Sequence, residues 1–316
     1  MAENQDWERD LIAKLATAAL KEQRRSRFWG IFFKLLVFAY VTLVIVVLID
    51  WRGGSEVVGG KKHTAMVEIV GTIAAGGDAS AERVIESLQA AFKDKNTKGV
   101  IVRINSPGGS PVQAQTIYDE MRRLRKKYPD IPLYAVVEDI CASGGYFIAV
   151  GADRIYVSKS SLVGSIGVLM NGFGFTGLMD KLGIERRLIT AGENKAFLDP
   201  FSPMEEKHRE YAVQLAKDIH QQFISVVREG RGKRLKETPE TFSGLIWTGE
   251  KSVELGLADG FGTLDSVARD VVKAEDIVDY TQKEGVVEKF AKRFGTSVGA
   301  AIADYAVRAS PSLLLR

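Results

Sequence analysis

Apolar residues in the middle of the chain fall into four short runs that are rich in β-branched side chains. The runs are AMVEIVG (65–71), GVIVRIN (99–105), LYAVVED (133–139) and RIYVS (154–158). Their length and composition predict buried strands. Helical periodicity predicts helices over 80–93, 111–127 and 204–229, the second with Pro111 in its first turn. This alternation predicts an α/β fold with a mainly parallel sheet.

A different pattern, an almost uninterrupted apolar run, occupies residues 28–49. The run reads FWGIFFKLLVFAYVTLVIVVLI, and Lys34 is its one charged residue. As a helix it would be about 33 Å long, enough to cross the hydrocarbon core of a bilayer. A cleaved signal peptide or a buried core helix is the alternative. The run is long for a signal peptide, however, and the following LIDWRGG offers no small-residue cleavage site. The sequence therefore predicts a retained transmembrane helix.

The charges on the two sides of this helix predict its orientation. Only Arg52 follows it immediately, whereas six basic residues precede it: Arg9, Lys14, Lys21, Arg24, Arg25 and Arg27. The positive-inside rule then keeps residues 1–27 in the cytoplasm and sends the rest of the chain across. In a bacterium with two membranes, this predicts a single-pass inner-membrane protein whose main domain lies in the periplasm.

The remaining divisions follow from composition. Residues 50–63 are polar and rich in glycine, which predicts a flexible linker. The extent of the α/β pattern predicts one domain over 64–280. Residues 281–316 are charged at first and then small and apolar, and they predict a loosely held C-terminal tail.

Overall composition excludes several classes of protein. With 26% charged and 46% hydrophobic residues, the chain is neither disordered nor collagen-like nor a polytopic membrane protein. A net charge of +3 gives little support to nucleic-acid binding, and no nucleic-acid partner is predicted. The single cysteine, Cys141, excludes an intramolecular disulfide and a cysteine-based zinc cluster. No cofactor or metal is predicted. Cys141 itself is either a nucleophile or a small buried filler.

Two glycine-bearing segments follow predicted strands. INSPGGS (104–110) leads into the helix at Pro111, where two glycines would let backbone amides face an anion; a tight turn is the alternative. CASGGYF (141–147) places Ser143 at the start of a helix. There its Oγ could attack a carbonyl while the Gly144 amide receives the oxyanion, although an N-cap serine would give the same pattern.

A serine nucleophile needs a base, and the chain has only three histidines. His63 falls in the predicted linker, and His208 and His220 fall in a charged helix whose residues are expected to be solvated. A lysine can replace histidine when burial keeps it neutral. Lys195 is the candidate, because TAGENKAFLDPF (190–201) surrounds it with small and apolar residues after the strand-like IERRLIT (184–190). A lysine in a loop can equally be a solvated one.

Together these residues resemble a known family. NSPGG, ASGGY, GSIGV and a lysine after AG, in this order, are similar to the SppA family of membrane-anchored serine proteases, the signal peptide peptidases or protease IV group. WTGEKSVELGLADGFGTLDSV (247–267) resembles the C-terminal signature of that family. The likeness extends over about 64–270.

The resemblance implies a role for each matching residue. Ser143 is the expected nucleophile, Lys195 the general base, and Ser165 the group that orients the lysine; Gly108 and Gly144 are the expected oxyanion-hole donors. An extended peptide would lie along the backbone near 108–112 and 164–169, at the substrate-binding residues Gly109, Ser110, Gly164 and Gly167. The family commonly has Tyr-Lys-Ser around the lysine, whereas this chain has Asn-Lys-Ala (194–196), which leaves the neighbouring contacts undetermined.

The resemblance also implies a fold and an assembly. The expected fold is of the ClpP/crotonase type, a spiral of β-β-α units, in a homo-oligomeric ring of about eight subunits in which adjacent chains share each active site. The expected activity is that of an endopeptidase acting on remnant signal peptides or membrane-associated polypeptides. Two alternatives stay open: a catalytically inactive membrane-tethered scaffold of the same fold, and an acyl-CoA hydratase or isomerase.

Overall fold

The structure is a computed structural model that describes residues 2–52 and 61–283. The chain divides into two compact units, one holding the N-terminal helix and the other holding every described residue from 61 to 283. The remaining parts of the predicted linker, 53–60, and of the predicted tail, 284–316, lie outside the described residues.

The N-terminal unit contains helix α1, Ala2–Arg52. Its segment Lys21–Val46 is long and apolar enough to cross a membrane, and it overlaps most of the predicted span 28–49. Side chains throughout this segment are exposed, including those of Phe28, Leu35 and Phe38. The segment is therefore not the buried core helix that the sequence left as an alternative.

The second unit is an α/β domain. Its strands are β1 (His63–Val70), β2 (Thr97–Ser106), β3 (Leu133–Ala142), β4 (Arg154–Val157), β5 (Leu162–Gly164), β6 (Ile246–Thr248), β7 (Gly260–Phe261) and β8 (Ile277–Asp279). Its α-helices are α2 (Ala81–Lys93), α3 (Pro111–Lys127), α4 (Gly144–Ala149), α5 (Thr176–Leu182), α6 (Glu206–Arg231), α7 (Gly249–Glu254) and α8 (Leu264–Ser266). A 3₁₀ turn, Gly232–Arg234, follows α6, and a π-helical turn, Val267–Val272, follows α8.

The sheet is parallel except at one edge and has the order β6-β5-β3-β2-β1-β8. Strand β3 is central, and its two halves pair with different strands on the same side. Its first half pairs with β4, which in turn pairs with β7, and its second half pairs with β5. Only the β5–β6 pair is antiparallel among the described strands. This split brings the carboxyl ends of β2, β3 and β5 to one edge of the sheet.

Helices cover one face of the sheet and bury most of the core. In α2, Val84, Leu88 and Ala91 are buried at the three- and four-residue spacing of an amphipathic helix. Helix α3 begins at Pro111, and the Ser110 hydroxyl caps it by accepting the amide of Gln113. The other face carries a smaller cluster, in which Val267 and Val272 pack against the sheet. The predicted strands and helices are thus present to within a few residues.

Three local expectations differ from the structure. Residues 184–190 form no strand and are exposed, because they lie in a segment that does not reach the sheet. His63 is the first residue of β1 rather than part of a linker; it is buried and its Nε2 lies 3.0 Å from the Tyr280 hydroxyl. Residues 281–283 still contact the domain, because the Thr281 hydroxyl accepts the Glu68 amide and the Gln282 amide donates to Ser87.

A buried ion pair joins the end of α6 to the segment before β7. The side chain of Arg231 is 1% exposed; its Nη1 lies 2.7 Å from Asp259 Oδ2, and its Nε donates to the Gly256 carbonyl. The Tyr146 hydroxyl of α4 donates to the Leu257 carbonyl at 2.8 Å. The segment 256–259 therefore ties α6 and α4 together behind the helix that begins after Ser143.

We expect Asp259→Ala to lower the free energy of unfolding by about 3–5 kcal/mol, because it leaves the Arg231 charge buried without a partner. Urea unfolding of the two proteins measures the difference. Glu237→Ala, which removes the exposed partner of Arg228, is the matched control and should cost about 1 kcal/mol or less. Equal losses in the two variants would contradict the expectation.

The same pair predicts a pH dependence. Burial acts to raise the pKa of Asp259, but the hydrogen bond and charge of Arg231, with the Ile155 amide, outweigh it and lower this pKa below its ordinary value. The stabilisation is therefore complete above the ordinary aspartate pKa of about 4 and is lost as the pH falls through the lowered value. The difference in the free energy of unfolding between wild type and Asp259→Ala, measured by urea unfolding, should therefore become smaller in acid.

Candidate active site

Ser143 lies in the turn between β3 and α4 with a strained backbone. Its φ is 51° and its ψ is −122°, an arrangement that non-glycine residues seldom adopt and that is concentrated at functional sites. It holds the N-cap position of α4, but its side chain makes no capping hydrogen bond. The N-cap alternative therefore does not account for this serine. Its backbone is fixed instead, because its amide donates to the Gly164 carbonyl at 2.8 Å.

The loop after β2 packs directly against this turn. A Cβ placed on Gly108 would lie 2.7 Å from the Gly144 nitrogen and 2.7 Å from the Ser143 Cβ. With a φ of 103°, Gly108 also has a conformation that favours glycine. The NSPGG segment is therefore a close approach of two backbones as well as a turn.

The amides in this contact do not all face the same way. The Gly108 amide donates to Ser106 Oγ at 3.1 Å, so it is already engaged. Gly109 forms a bridge with Ile73, in which the Gly108 carbonyl accepts the Ile73 amide and the Ser110 amide donates to the Ile73 carbonyl. The N–H of Gly109 therefore points to the opposite side, and a Cβ on Gly144 would lie 3.3 Å from the Gly109 nitrogen.

Gly108 is one of the two predicted oxyanion donors, and in this structure its amide donates to Ser106 Oγ. The Gly109 amide, predicted only to bind substrate, faces Gly144 instead. The Gly144 amide opens the first turn of α4, where no preceding helical carbonyl can accept it. The amides of Gly109 and Gly144 are thus neighbours in the backbone beside Ser143.

Ser165 follows β5 and is a neighbour of Ser143 across the sheet. Ala142 pairs with Gly164, so the two serines succeed paired residues of adjacent parallel strands. Ser165 also has a φ of 51°, and its amide donates to the Leu245 carbonyl at 2.8 Å. The structure therefore brings Ser165 and Gly164 together with Ser143.

An apolar cavity of about 450 Å³ opens beside Ser143. Gly109, Ser143, Gly144 and Gly167 line one side of it. Phe147 and Val168 also line it, and the rest comes from the first turns of α3, including Val112, and from α6, including Ile219 and Phe223. Ser110 and Gly164 do not line it. The sequence did not indicate α6 as a wall of this site, although Ile219, Phe223 and Val227 recur at four-residue spacing and mark one face of that helix.

Cys141 is a structural residue. It lies in β3, is fully buried, and burial raises the pKa of its thiol well above the ordinary value. Because the thiolate is the nucleophilic form, this cysteine is unreactive in the folded domain. Of the two sequence interpretations, the structure favours the small buried filler.

Lys195 does not lie with Ser143 in a single chain. It is exposed, it does not line the cavity, and within the described residues its ammonium has no hydrogen bond or ion pair. Its loop is held at the far end of α6: His208 Nε2 lies 3.2 Å from Asn194 Oδ1, and Phe197 packs edge-on against the His208 ring. Along α6, the 11 residues from His208 to Ile219, the first residue of this helix at the cavity, span about 17 Å.

The histidines are placed differently from the sequence expectation. His208 is buried rather than solvated, since it packs under the loop that carries Lys195. His220 is half-buried, and its Nε2 donates to the Ile166 carbonyl at 3.0 Å. His63 contacts Tyr280. None of the three lines the cavity beside Ser143, so the described residues contain no histidine placed as its base.

Comparison with known proteins agrees with this arrangement of strands and motifs. A sequence model of peptidase family S49 matches residues 125–278, and a model of the Clp proteases matches residues 63–162. A protein of Synechocystis sp. that is named as a protease, slr0021, is 33% identical over 64% of this chain and 71% of its own length. The chain belongs to peptidase family S49, the SppA family.

Two further relatives match over smaller parts of their own lengths. A protein of Brucella abortus named as the Na⁺/H⁺ antiporter NhaA is 46% identical over 58% of this chain, and the chain spans a quarter of it. A protein of Enterococcus faecium named as a signal peptide peptidase, SppA, is 30% identical over 63% of this chain and 58% of its own length. Because this S49 chain covers only part of these relatives, their activities as whole proteins do not follow from the matches.

Membership of family S49 and the match to Clp proteases confirm the predicted fold class. The sheet and its covering helices form a Clp-type α/β domain, and the chain also has one N-terminal helix of membrane-spanning length and composition among its described residues. The S49 model includes Ser143, Ser165 and Lys195, and the Clp model includes the NSPGG loop.

Proposed function

We propose that this S49 protein is a serine endopeptidase in which Ser143 is the nucleophile. The observation that carries the proposal is the geometry at Ser143. Ser143 has a strained backbone, and its hydroxyl makes no capping hydrogen bond. It lies beside the neighbouring amides of Gly109 and Gly144, and all three residues line an apolar cavity. Such a set provides a nucleophile, an oxyanion hole and a side-chain pocket for a peptide.

The reaction needs one group that acts first as a general base and then as a general acid. A neutral Lys195 amine takes the Ser143 proton while Oγ forms a bond to the peptide carbonyl carbon, and the carbonyl oxygen becomes an oxyanion held by the two amides. The lysine then donates this proton to the leaving amine, and the C–N bond breaks. Water, deprotonated by the same lysine, then attacks the ester carbon. The bond from this carbon to Oγ breaks, the lysine returns the proton to Oγ, and the acyl group leaves as a carboxylic acid. Ser165, adjacent to Ser143, orients the amine.

A second copy of the chain is proposed to supply Lys195. Within one chain, about 17 Å of α6 separates His208, which holds the Lys195 loop, from Ile219 at the cavity, and a lysine side chain is shorter than that. The segment around that loop also exposes a series of large apolar side chains: Leu169, Phe173, Leu178, Leu182, Ile184, Leu188, Ile189 and Met204. A surface of this kind is typical of one that another protein covers. Closed rings of about eight copies would place each loop at a neighbouring cavity and would exclude water from it.

The proposed substrate is a peptide with an apolar side chain at the residue that precedes the cut. Most of the cavity surface is apolar, and the side chains of Val112, Phe147 and Phe223 contribute to it. The peptide backbone would lie extended beside 108–110 and 164–167.

The N-terminal helix is proposed as an anchor in the bacterial inner membrane. Its basic flank before Lys34 favours a cytoplasmic N-terminus and an α/β domain on the periplasmic side. Apolar segments such as remnant signal peptides and membrane-associated polypeptides would then be available close to the site.

Labelling with a serine-directed fluorophosphonate tests the proposal against its alternatives. We expect the detergent-solubilised full chain to be labelled at Ser143, as located by peptide mass spectrometry, and a hydrophobic peptide aldehyde to prevent the labelling. An inactive scaffold would show no labelling. A hydratase or isomerase would bind CoA thioesters instead, so protection by an acyl-CoA and not by the aldehyde would refute the peptidase function.

A further inference from the structure

The buried Ser106 hydroxyl at the end of β2 joins Gly71 to the loop that carries one amide of the proposed oxyanion hole. We propose that Ser106 is a positioning residue, which turns the Gly109 amide toward Ser143 by holding the amide of Gly108. The inference rests on the proposed peptidase function, because the oxyanion exists only in that reaction. Ser106 itself touches neither the cavity nor the reacting atoms.

The Ser106 hydroxyl uses both of its hydrogen-bonding capacities. It donates to the Gly71 carbonyl at 2.6 Å and accepts the Gly108 amide at 3.1 Å. The side chain is fully buried, so water cannot replace either bond. Because the Gly108 amide is bound on this side, the peptide plane before Gly108 has one orientation, and the chain must turn at Gly108 with a φ of 103°.

Residues 71–73, here called the strap, follow β1 and fix the orientation of the next peptide. Ile73 donates to the Gly108 carbonyl at 2.9 Å and accepts the Ser110 amide at 2.8 Å, so both neighbours of Gly109 face the strap. The N–H of Gly109 is left on the other side, beside Gly144. A Cβ on Gly109 would lie 2.1 Å from the Ile73 carbonyl oxygen, which shows how closely the strap is pressed against the loop. Gly71, the acceptor of the Ser106 hydroxyl, begins this same strap.

The backbone of Ser106 also supports the nucleophile helix. A Cβ on Gly145 would lie 3.0 Å from the Ser106 carbonyl oxygen, so α4 rests on this residue without a gap. Ser106 thus joins the strap, the oxyanion loop and the first turn of α4. Without its hydroxyl, the Gly71 carbonyl and the Gly108 amide would be unpaired in a dry site, and the 107–109 backbone would relax toward other partners.

The test compares Ser106→Ala with Ser252→Ala. Ser252 is a matched control, because it is equally buried and its hydroxyl donates to the Gly249 carbonyl at 2.7 Å, but it lies in α7 outside the cavity. We expect Ser106→Ala to lower kcat for an apolar peptide about 10- to 100-fold with KM changed less than about twofold, since an oxyanion donor acts in the transition state. Ser252→Ala should change kcat less than about twofold while losing similar stability to urea.

A peptide aldehyde supplies a readout that a merely structural role would not move. Its adduct with Ser143 carries an oxygen in the oxyanion position, so its affinity should fall in Ser106→Ala by about the same factor as kcat. Ser106→Cys, with a weaker hydrogen-bonding group, should give an intermediate loss and serves if the alanine variant does not fold. Unchanged kcat in a folded Ser106 variant, or equal losses of kcat in the Ser252 control, would overturn the inference.

Failure of the two ideas can be told apart. If wild type is active, Ser143→Ala is inactive and the Ser106 variants match wild type, only the positioning role is refuted. If wild type hydrolyses no peptide, or Ser143→Ala keeps its activity, the proposed function is refuted. The positioning role of Ser106 is then refuted as well, because it depends on that function.

Discussion

Ser143→Ala should reduce peptide hydrolysis by roughly 10⁴-fold or more and leave the fold intact, because a nucleophile has no substitute once its oxygen is removed. The side chain makes no capping hydrogen bond, so no structural bond is lost with it. The backbone strain at a φ of 51° also stays the same, because alanine keeps the Cβ of serine. Turnover of a fluorogenic apolar peptide and the urea midpoint measure the two halves of this expectation.

Ser160→Ala is the matched control for Ser143→Ala. Ser160 is exposed in the turn before β5, outside the cavity, and its loss should change neither turnover nor the urea midpoint. A Ser143→Ala protein that folds normally and keeps more than about one hundredth of wild-type turnover would exclude Ser143 as the nucleophile. Loss of fluorophosphonate labelling should accompany the loss of hydrolysis, because both depend on the same oxygen.

The sheet was predictable because its strands are continuous apolar runs. In β2 and β3, residues such as Val100, Val102 and Ala135 are buried on a sheet covered on both faces, so the pattern is visible without tertiary information. Residues 184–190 have a similar local pattern and form no strand. Their apolar side chains Leu188 and Ile189 are exposed, and nothing in the local sequence distinguishes these exposed apolar side chains from ones that enter a core.

At the site, the sequence indicated residues but not the directions of their groups. Ser143, Ser165 and the NSPGG loop were identified from motifs, and the paired ends of β3 and β5 bring the two serines together. Which of Gly108 and Gly109 has its amide beside Gly144 depends on the orientation of one peptide. Ser106 and Ile73 hold that peptide, and Ile73 lies more than 30 positions away in sequence. The contribution of α6 to the cavity is equally non-local.

Lys195→Ala should also abolish turnover, and a mixture with Ser143→Ala should restore part of it. If a neighbouring chain supplies the lysine, a ring of both variants contains some sites with an intact serine from one chain and an intact lysine from the next. Random assembly from equal amounts gives about one quarter of the sites both groups, so turnover should return to about one quarter of wild type. Co-expression of the two full-length variants, followed by the fluorogenic assay, measures this recovery.

The arrangement of α6 is the reason to expect recovery rather than continued inactivity. The helix holds its own Lys195 loop through Asn194 and His208, about 17 Å along α6 from Ile219 at the cavity. A lysine acting within one chain would therefore require the loop to leave that contact. A mixture of Ser143→Ala with the double variant Ser143→Ala/Lys195→Ala is the control and should stay inactive, since no chain has an intact serine. If the complementary mixture forms rings of wild-type size by light scattering and still has no turnover, the lysine acts within its own chain. If Lys195→Ala alone keeps near-normal turnover, Lys195 is not the base.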